Sequence, residues 1–319
     1  MSSRNGAGVS DSDGARPRRR LIGVALAPSA ATLGNLLCGV MAMLCCLLSM
    51  RAEYTHLVAA DAHPRLVVLF PTYVAIGCYL VVLAMVFDAL DGRLARMTRQ
   101  TSEFGAQLDS IADIVSFGAA PALLYLTSLL RLTAPAEGDP LVGSVEWRIG
   151  WLCTMTYVSC AAIRLARYNA ENVKDEAAQR QFSGLPTPAA AAACVALLML
   201  HEDCAVNADI SPLWAASVRW GAAPAMFALG LLMVSRVDYV HVVNVYTSRE
   251  RPPIHLVWLV VLAGVGWFSM HVMLVVVALA YIVSGLLMHF TRRRRGRAAA
   301  EDEPRLDVRE PDSRVVERR

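Results

Sequence analysis

Charge is scarce in this chain. Asp, Glu, Lys and Arg make up 18% of its 319 residues, against about a quarter in soluble domains. Hydrophobic residues reach 56%, and the mean hydropathy is +0.44. A soluble protein of this length forms one large domain or two and needs far more polar surface, so that class is excluded. Lysine is nearly missing: of 30 basic residues only Lys174 is not an arginine. Of the eight cysteines (Cys38, Cys45, Cys46, Cys78, Cys153, Cys160, Cys194 and Cys204), seven lie inside apolar stretches with no CxxC spacing and no nearby histidine. That excludes a zinc ribbon and a disulfide scaffold, and leaves them as small buried hydrophobes. His201, His241, His255, His271 and His289 have no ligand spacing either and read as interfacial. No internal repeat is visible, and no nucleic-acid partner is expected.

What is present is long apolar runs. A spanning helix needs roughly 20 mostly apolar residues. Eight segments qualify, at approximately 31–50, 67–90, 107–130, 148–166, 186–201, 214–235, 254–269 and 272–290. The last two form one run, split as a hairpin near Gly264–His271. Residues 1–20 read as a disordered basic tail, 21–291 as a membrane domain, and 292–319 as a disordered charged tail. With the N-terminus placed inside, 25 of the 30 basic residues fall on the cytoplasmic side and five on the other. The positive-inside rule then predicts an all-α, polytopic bundle of about eight transmembrane helices with both termini cytoplasmic.

Most of these segments carry no acids, but the second and third do. Asp88 and Asp91 are three apart at the end of one; Asp109 and Asp113 are four apart at the start of the next. Each pair shares a helix face, and a short loop, roughly 97–104, makes the two helices antiparallel neighbours. Carboxylates at membrane depth are costly unless paired or metal-bound, and mark a functional site. Four of them converging are hard oxygen ligands of the kind that suits Mg²⁺ or Mn²⁺. Gly105, one turn before Asp109, leaves room for a ligand. The competing reading is a set of salt bridges to Arg93, Arg96 and Arg99. Metal-rich carboxylate clusters at a polar–apolar boundary fit phosphoryl transfer, where two cations clamp a pyrophosphate.

At these residues the sequence resembles the CDP-alcohol phosphatidyltransferase family, whose signature reads D-x2-D-G-x2-A-R-x8-G-x3-D-x3-D. Asp88, Asp91, Gly92, Ala95, Arg96, Gly105, Asp109 and Asp113 meet every fixed position. At about 5% each, a chance match is on the order of 10⁻¹⁰ per start site. The resemblance implies transfer of a phosphatidyl group from CDP-diacylglycerol to an alcohol with release of CMP. It implies two metal ions on Asp88, Asp91, Asp109 and Asp113, with Asp113 also the general base. It implies contacts to the CDP-lipid from Gly92, Arg96 and Ser102. The family is commonly dimeric, so a homodimer is an expectation.

Further segments resemble the membrane-type phosphatidylserine synthases of that family, from about residue 28 to 290. They are Thr32–Gly39, Val115–Ala122, Arg164–Asn169 and Phe182–Pro188. L-serine is therefore the expected acceptor. Its carboxylate calls for a cation, and Arg164 or Arg167 is assigned to it, with Asn169 as an auxiliary donor. Positive-inside flanking charge is the alternative reading of that arginine pair. Asn35, polar inside the first segment, is read as a cap on a broken backbone, as a contact to the cytidine, or as a helix–helix hydrogen bond. Gly184–Pro188 reads as the start of a span, since proline suits a first helical turn. The expected setting is a cell (inner) membrane with the site facing the cytoplasm. Glycerol 3-phosphate, inositol phosphate or choline as acceptor, and an ion or solute transporter, are the other readings.

Overall fold

The computed structural model describes residues 18–50, 72–98, 103–132, 145–172, 184–206, 212–237 and 270–301. Among these, the regular elements are all helical: α1 (Arg18–Ser49), α2 (Tyr73–Thr98), α3 (Glu103–Asp113), a π-helical segment (Ile114–Ala119), α4 (Ala120–Leu132), α5 (Val145–Asn172), α6 (Thr187–Val206), α7 (Pro212–Val234) and α8 (Met270–Glu301). Five stretches are long and apolar enough to cross a membrane: Ala30–Ser49, Tyr73–Leu94, Phe104–Leu130, Trp147–Ala170 and His271–Thr291. The fifth and sixth expected segments are the helices α6 and α7, the latter with a shorter apolar part, Gly221–Val234. The seventh, 254–269, lies outside the described residues. Helix and apolar stretch do not end together. α1 begins at Arg18, and α8 runs through Arg292–Arg295 to Glu301. Arginine and alanine are good helix formers, so the helix continues after the apolar run stops.

α1 lies along α2 and also touches α3, the π segment and α4. α5 packs on α7, and α6 sits between α7 and α8 while reaching α2 and α4. The rod from α3 to α4 is central: 61% of its apolar stretch is buried, against 17% for α8. Leu37, Leu47, Leu152, Leu287 and Phe290 face outward, which suits a lipid environment. Small residues let the backbones close up, as is usual for membrane helices. A Cβ on Gly230 of α7 would stand 3.1 Å from the Tyr157 Cα on α5.

The central rod is not a regular α-helix, and Pro121 supplies the reason. Proline has no N–H, and its ring collides with the carbonyl four residues back, here Phe117. The turns before it widen to i→i+5 bonding, as in Ala120 N–H to Val115 O. The fully buried Tyr157 hydroxyl donates to the Phe117 carbonyl at 2.9 Å, and the Ser116 hydroxyl donates to the Ala112 carbonyl at 2.8 Å. The widening follows directly after Asp113, so it sets how the rod presents that residue. Such segments are frequent at functional sites.

At the other end of α2, about 24 Å from Asp88 by helix rise, Thr72, Ser128 and Glu202 form a buried hydrogen-bonded group. The Thr72 hydroxyl accepts from the Ala75 N–H at 3.2 Å, which caps α2, and donates to Glu202 Oε2 at 2.7 Å. Ser128 donates to Glu202 Oε1 at 2.9 Å. His271 lies 3.1 Å from the Tyr79 hydroxyl and 3.7 Å from Asp203. Contrary to the interfacial expectation, His201 and His271 are buried among these helix ends, because the helices converge over them. Tyr157→Phe should lower stability by about 1–3 kcal/mol by orphaning the Phe117 carbonyl, seen as a lower melting temperature in detergent.

Candidate active site

Asp88 and Asp91 stand on the last turns of the apolar part of α2; Asp109 and Asp113 stand on α3. α2 meets the central rod chiefly through the π segment and α4, while α1 packs on both. Carboxylate oxygens of Asp88, Asp109 and Asp113 all lie within 4.8 Å of one another across this junction. Asp91 is not one of the three. Three residues of α-helix turn 300°, which leaves it 60° round from Asp88. It faces α1 instead, where its Oδ2 accepts a hydrogen bond from Thr32 Oγ1.

α1 orders the cluster a second time, one turn on. Asn35 is fully buried, and its Nδ2 donates to Asp113 Oδ1 at 3.1 Å. The Asn35 carbonyl accepts from Ser116 of the π segment at 3.0 Å. This pairing requires Gly39: a Cβ there would meet the Ser116 Cα at 2.8 Å. Asn35 Oδ1 is buried with no hydrogen-bond partner. Asn35 thus makes a helix–helix hydrogen bond whose recipient is the carboxylate cluster itself.

At an effective dielectric of about 20, two unit charges 4.8 Å apart repel by about 3 kcal/mol. Three such pairs amount to roughly 10 kcal/mol, against about 1–3 kcal/mol for a hydrogen bond such as that from Asn35. Proton uptake by a carboxyl or bound positive charge makes up the difference. The donor set of three carboxylates can hold a divalent cation, and hard oxygens match Mg²⁺ or Mn²⁺ in kind.

The part-buried Arg164 of α5 interacts electrostatically with Asp113. Its Nη1 donates to Thr187 Oγ1 at 2.8 Å, and its Nε is buried with no partner. Arg167 lies three residues on along α5. The Asn169 amide donates to Ser110 Oγ of α3 at 2.9 Å, tying the end of α5 to the helix that carries Asp109 and Asp113. Gly92 is exposed, and a Cβ on it would meet nothing within 4 Å, so the backbone there is open to a ligand. Gly105 is part-buried on the first turns of α3. Arg96 belongs to the last turns of α2, and Ser102 lies outside the described residues. Thr32, Ser116, Tyr157 and Thr187 were not singled out from the sequence as functional. Thr32, Ser116 and Thr187 stand inside the segments that carry the resemblance, but hydroxyls there signal nothing until their partners are known.

The sequence profile of the CDP-alcohol phosphatidyltransferases matches residues 25–235. The chain is 37% identical over 124 residues to the CDP-diacylglycerol–serine O-phosphatidyltransferase of Mycobacterium tuberculosis, covering 38% of each chain. It is 34% identical over 160 residues to the enzyme of that name from Methanocaldococcus jannaschii, covering 50% of this chain and 61% of the relative. A Helicobacter pylori protein of that name is 34% identical over 165 residues, covering 51% and 60% respectively. The matched region thus spans less than two thirds of the length of these curated relatives.

The cluster makes a prediction that needs no turnover. Millimolar Mn²⁺ should raise the melting temperature of the purified protein by several degrees, since a ligand that binds only the folded state stabilises it. Asp109→Asn should remove most of that rise.

Proposed function

The chain belongs to the CDP-alcohol phosphatidyltransferase family, and from this we propose that it transfers the phosphatidyl group of CDP-diacylglycerol to L-serine. The products are phosphatidylserine and CMP. The observation that carries the reading is the set of three carboxylates within 4.8 Å of one another, with the part-buried Arg164 interacting with Asp113. The names of the relatives support serine as acceptor.

Asp88, Asp91, Asp109 and Asp113 would hold two divalent ions, Mg²⁺ or Mn²⁺, with Asp91 using the oxygen that Thr32 does not engage. When bound, such ions supply charge neutralisation for the pyrophosphate and its equatorial oxygens. Asp113 takes the proton of the serine hydroxyl. The serine oxygen bonds to the β-phosphorus, the bond from that phosphorus to the bridging oxygen breaks, and CMP leaves with that oxygen. Asn35 keeps the Asp113 carboxylate oriented for this step. Gly92, Gly105, Arg96 and Ser102 flank the nucleotide and its phosphates: the glycines by leaving backbone accessible, the arginine and serine by donating to phosphate oxygens. Arg164 or Arg167 binds the serine carboxylate, and Asn169, with a second amide hydrogen beyond the one given to Ser110, assists.

We also propose the topology that this chemistry needs: eight spans, both termini cytoplasmic, in a cell (inner) membrane. The arginine asymmetry supports it, because it puts the end of α2 and the start of α3 on the cytoplasmic side. A water-soluble acceptor and CMP exchange there, while the lipid tails approach sideways from the bilayer. The enzyme would work as a homodimer, as the family commonly does.

Purified protein given CDP-diacylglycerol, Mn²⁺ and L-serine should release CMP and form phosphatidylserine. Asp113→Asn should cut turnover at least a thousandfold without lowering the melting temperature. CMP release with glycerol 3-phosphate, inositol phosphate or choline in place of serine would sink the assignment of the acceptor.

A further inference from the structure

Sequence spacing treats Arg164 and Arg167 alike; the fold does not. Arg164 interacts electrostatically with Asp113, and its Nη1 is anchored on Thr187 Oγ1 at 2.8 Å. Its Nε is buried without a hydrogen-bond partner, and a charged donor in that position favours an added acceptor. Anchoring Nη1 leaves the Nε–Nη2 edge of the guanidinium, two parallel N–H donors that match the two oxygens of a carboxylate.

Thr187 is itself held firmly. It is fully buried and opens α6. Before it, Gly184 sits at φ +99°, and a Cβ there would stand 2.4 Å from the Met233 carbonyl, so only glycine fits. The Gly184 N–H donates to the Val237 carbonyl at 2.8 Å, and the Leu185 N–H to the Leu232 carbonyl at 3.0 Å. The Pro186 carbonyl then accepts the first helical bond, from Ala190 N–H at 3.0 Å. The turn is clamped to the end of α7, and the β-branched Thr187 side chain has few rotamers in a helix.

We propose that Thr187 is a positioning residue that turns the Nε–Nη2 edge of Arg164 toward the carboxylate of the acceptor. The pair Arg164–Thr187, rather than Arg167, then determines the preference for a hydroxy amino acid over an amino alcohol lacking the carboxylate. This rests on the serine reading above. It assigns to the Gly184–Thr187 turn a part in acceptor selection beyond starting a helix.

The test uses the purified full chain with CDP-diacylglycerol and Mn²⁺, and compares L-serine with 2-aminoethanol. Wild-type turnover of serine checks the underlying reading; its absence overturns that reading and this proposal together. Given that turnover, Thr187→Val and Thr187→Ala should each raise the serine KM at least tenfold. kcat and the KM for CDP-diacylglycerol should stay within threefold, the pattern of lost binding without lost transition-state stabilisation. Thr187→Ser, which keeps the hydroxyl, should return the serine KM to within threefold of wild type. Arg164→Ala should erase the preference for serine over 2-aminoethanol, and adding Thr187→Val to it should change nothing further. A serine KM within twofold of wild type in both Thr187 variants, or an equal rise in the KM for CDP-diacylglycerol, overturns the proposal and leaves the serine reading standing.

Discussion

The structure depends on a repulsion. Three carboxylates whose oxygens lie within 4.8 Å of one another, placed where membrane helices meet, push apart more strongly than neighbouring hydrogen bonds can offset. The apolar bundle therefore has to hold them by geometry and leave room for cations. α1 carries the largest part of that constraint. In two successive turns it sends Thr32 to Asp91 and Asn35 to Asp113, and its backbone accepts from Ser116 on the central rod. The central rod answers with a π segment brought on by Pro121, whose displaced Phe117 carbonyl is taken by Tyr157. Each of these contacts looks incidental by itself. Together they leave the carboxylates little freedom to relax away from one another.

The two ends of the bundle differ in the polar contacts they make. At the far end, Glu202 receives two hydroxyl donors, one of which also caps α2. At the carboxylate end, Asn35 Oδ1 and Arg164 Nε are buried without partners, and Gly92 opens on unfilled space. Satisfied polar groups rigidify a helix end. Unsatisfied ones raise the energy of the empty site relative to one filled by complementary groups, which is how binding energy comes to favour a ligand of the right chemistry.

Much of the site was legible because helix periodicity is a local rule. Spacings of three and four put Asp88 with Asp91 and Asp109 with Asp113 on shared faces, and a short connection brought the two helices together. The rule does not tell which acids meet most closely: Asp88, Asp109 and Asp113 do, while Asp91, 60° round from Asp88, also bonds to Thr32 of α1. Arginine asymmetry is likewise readable along the chain, whereas His201 and His271 looked interfacial only because their cover comes from helices distant in sequence.

The sequence by itself determined that the chain is helical with stretches apolar enough to cross a membrane, where its acids stand along their helices, and which family motif they match. Those properties follow from composition, period and spacing, all of which act within one helix or its neighbour. Only the tertiary structure decided which partner each polar group takes. Thr32 and Asp91 are 59 residues apart, Asn35 and Asp113 78, and Arg164 and Thr187 23. A hydroxyl or an amide in an apolar helix has a strong need for a partner but no preference in sequence distance, so its choice is made by helix packing alone.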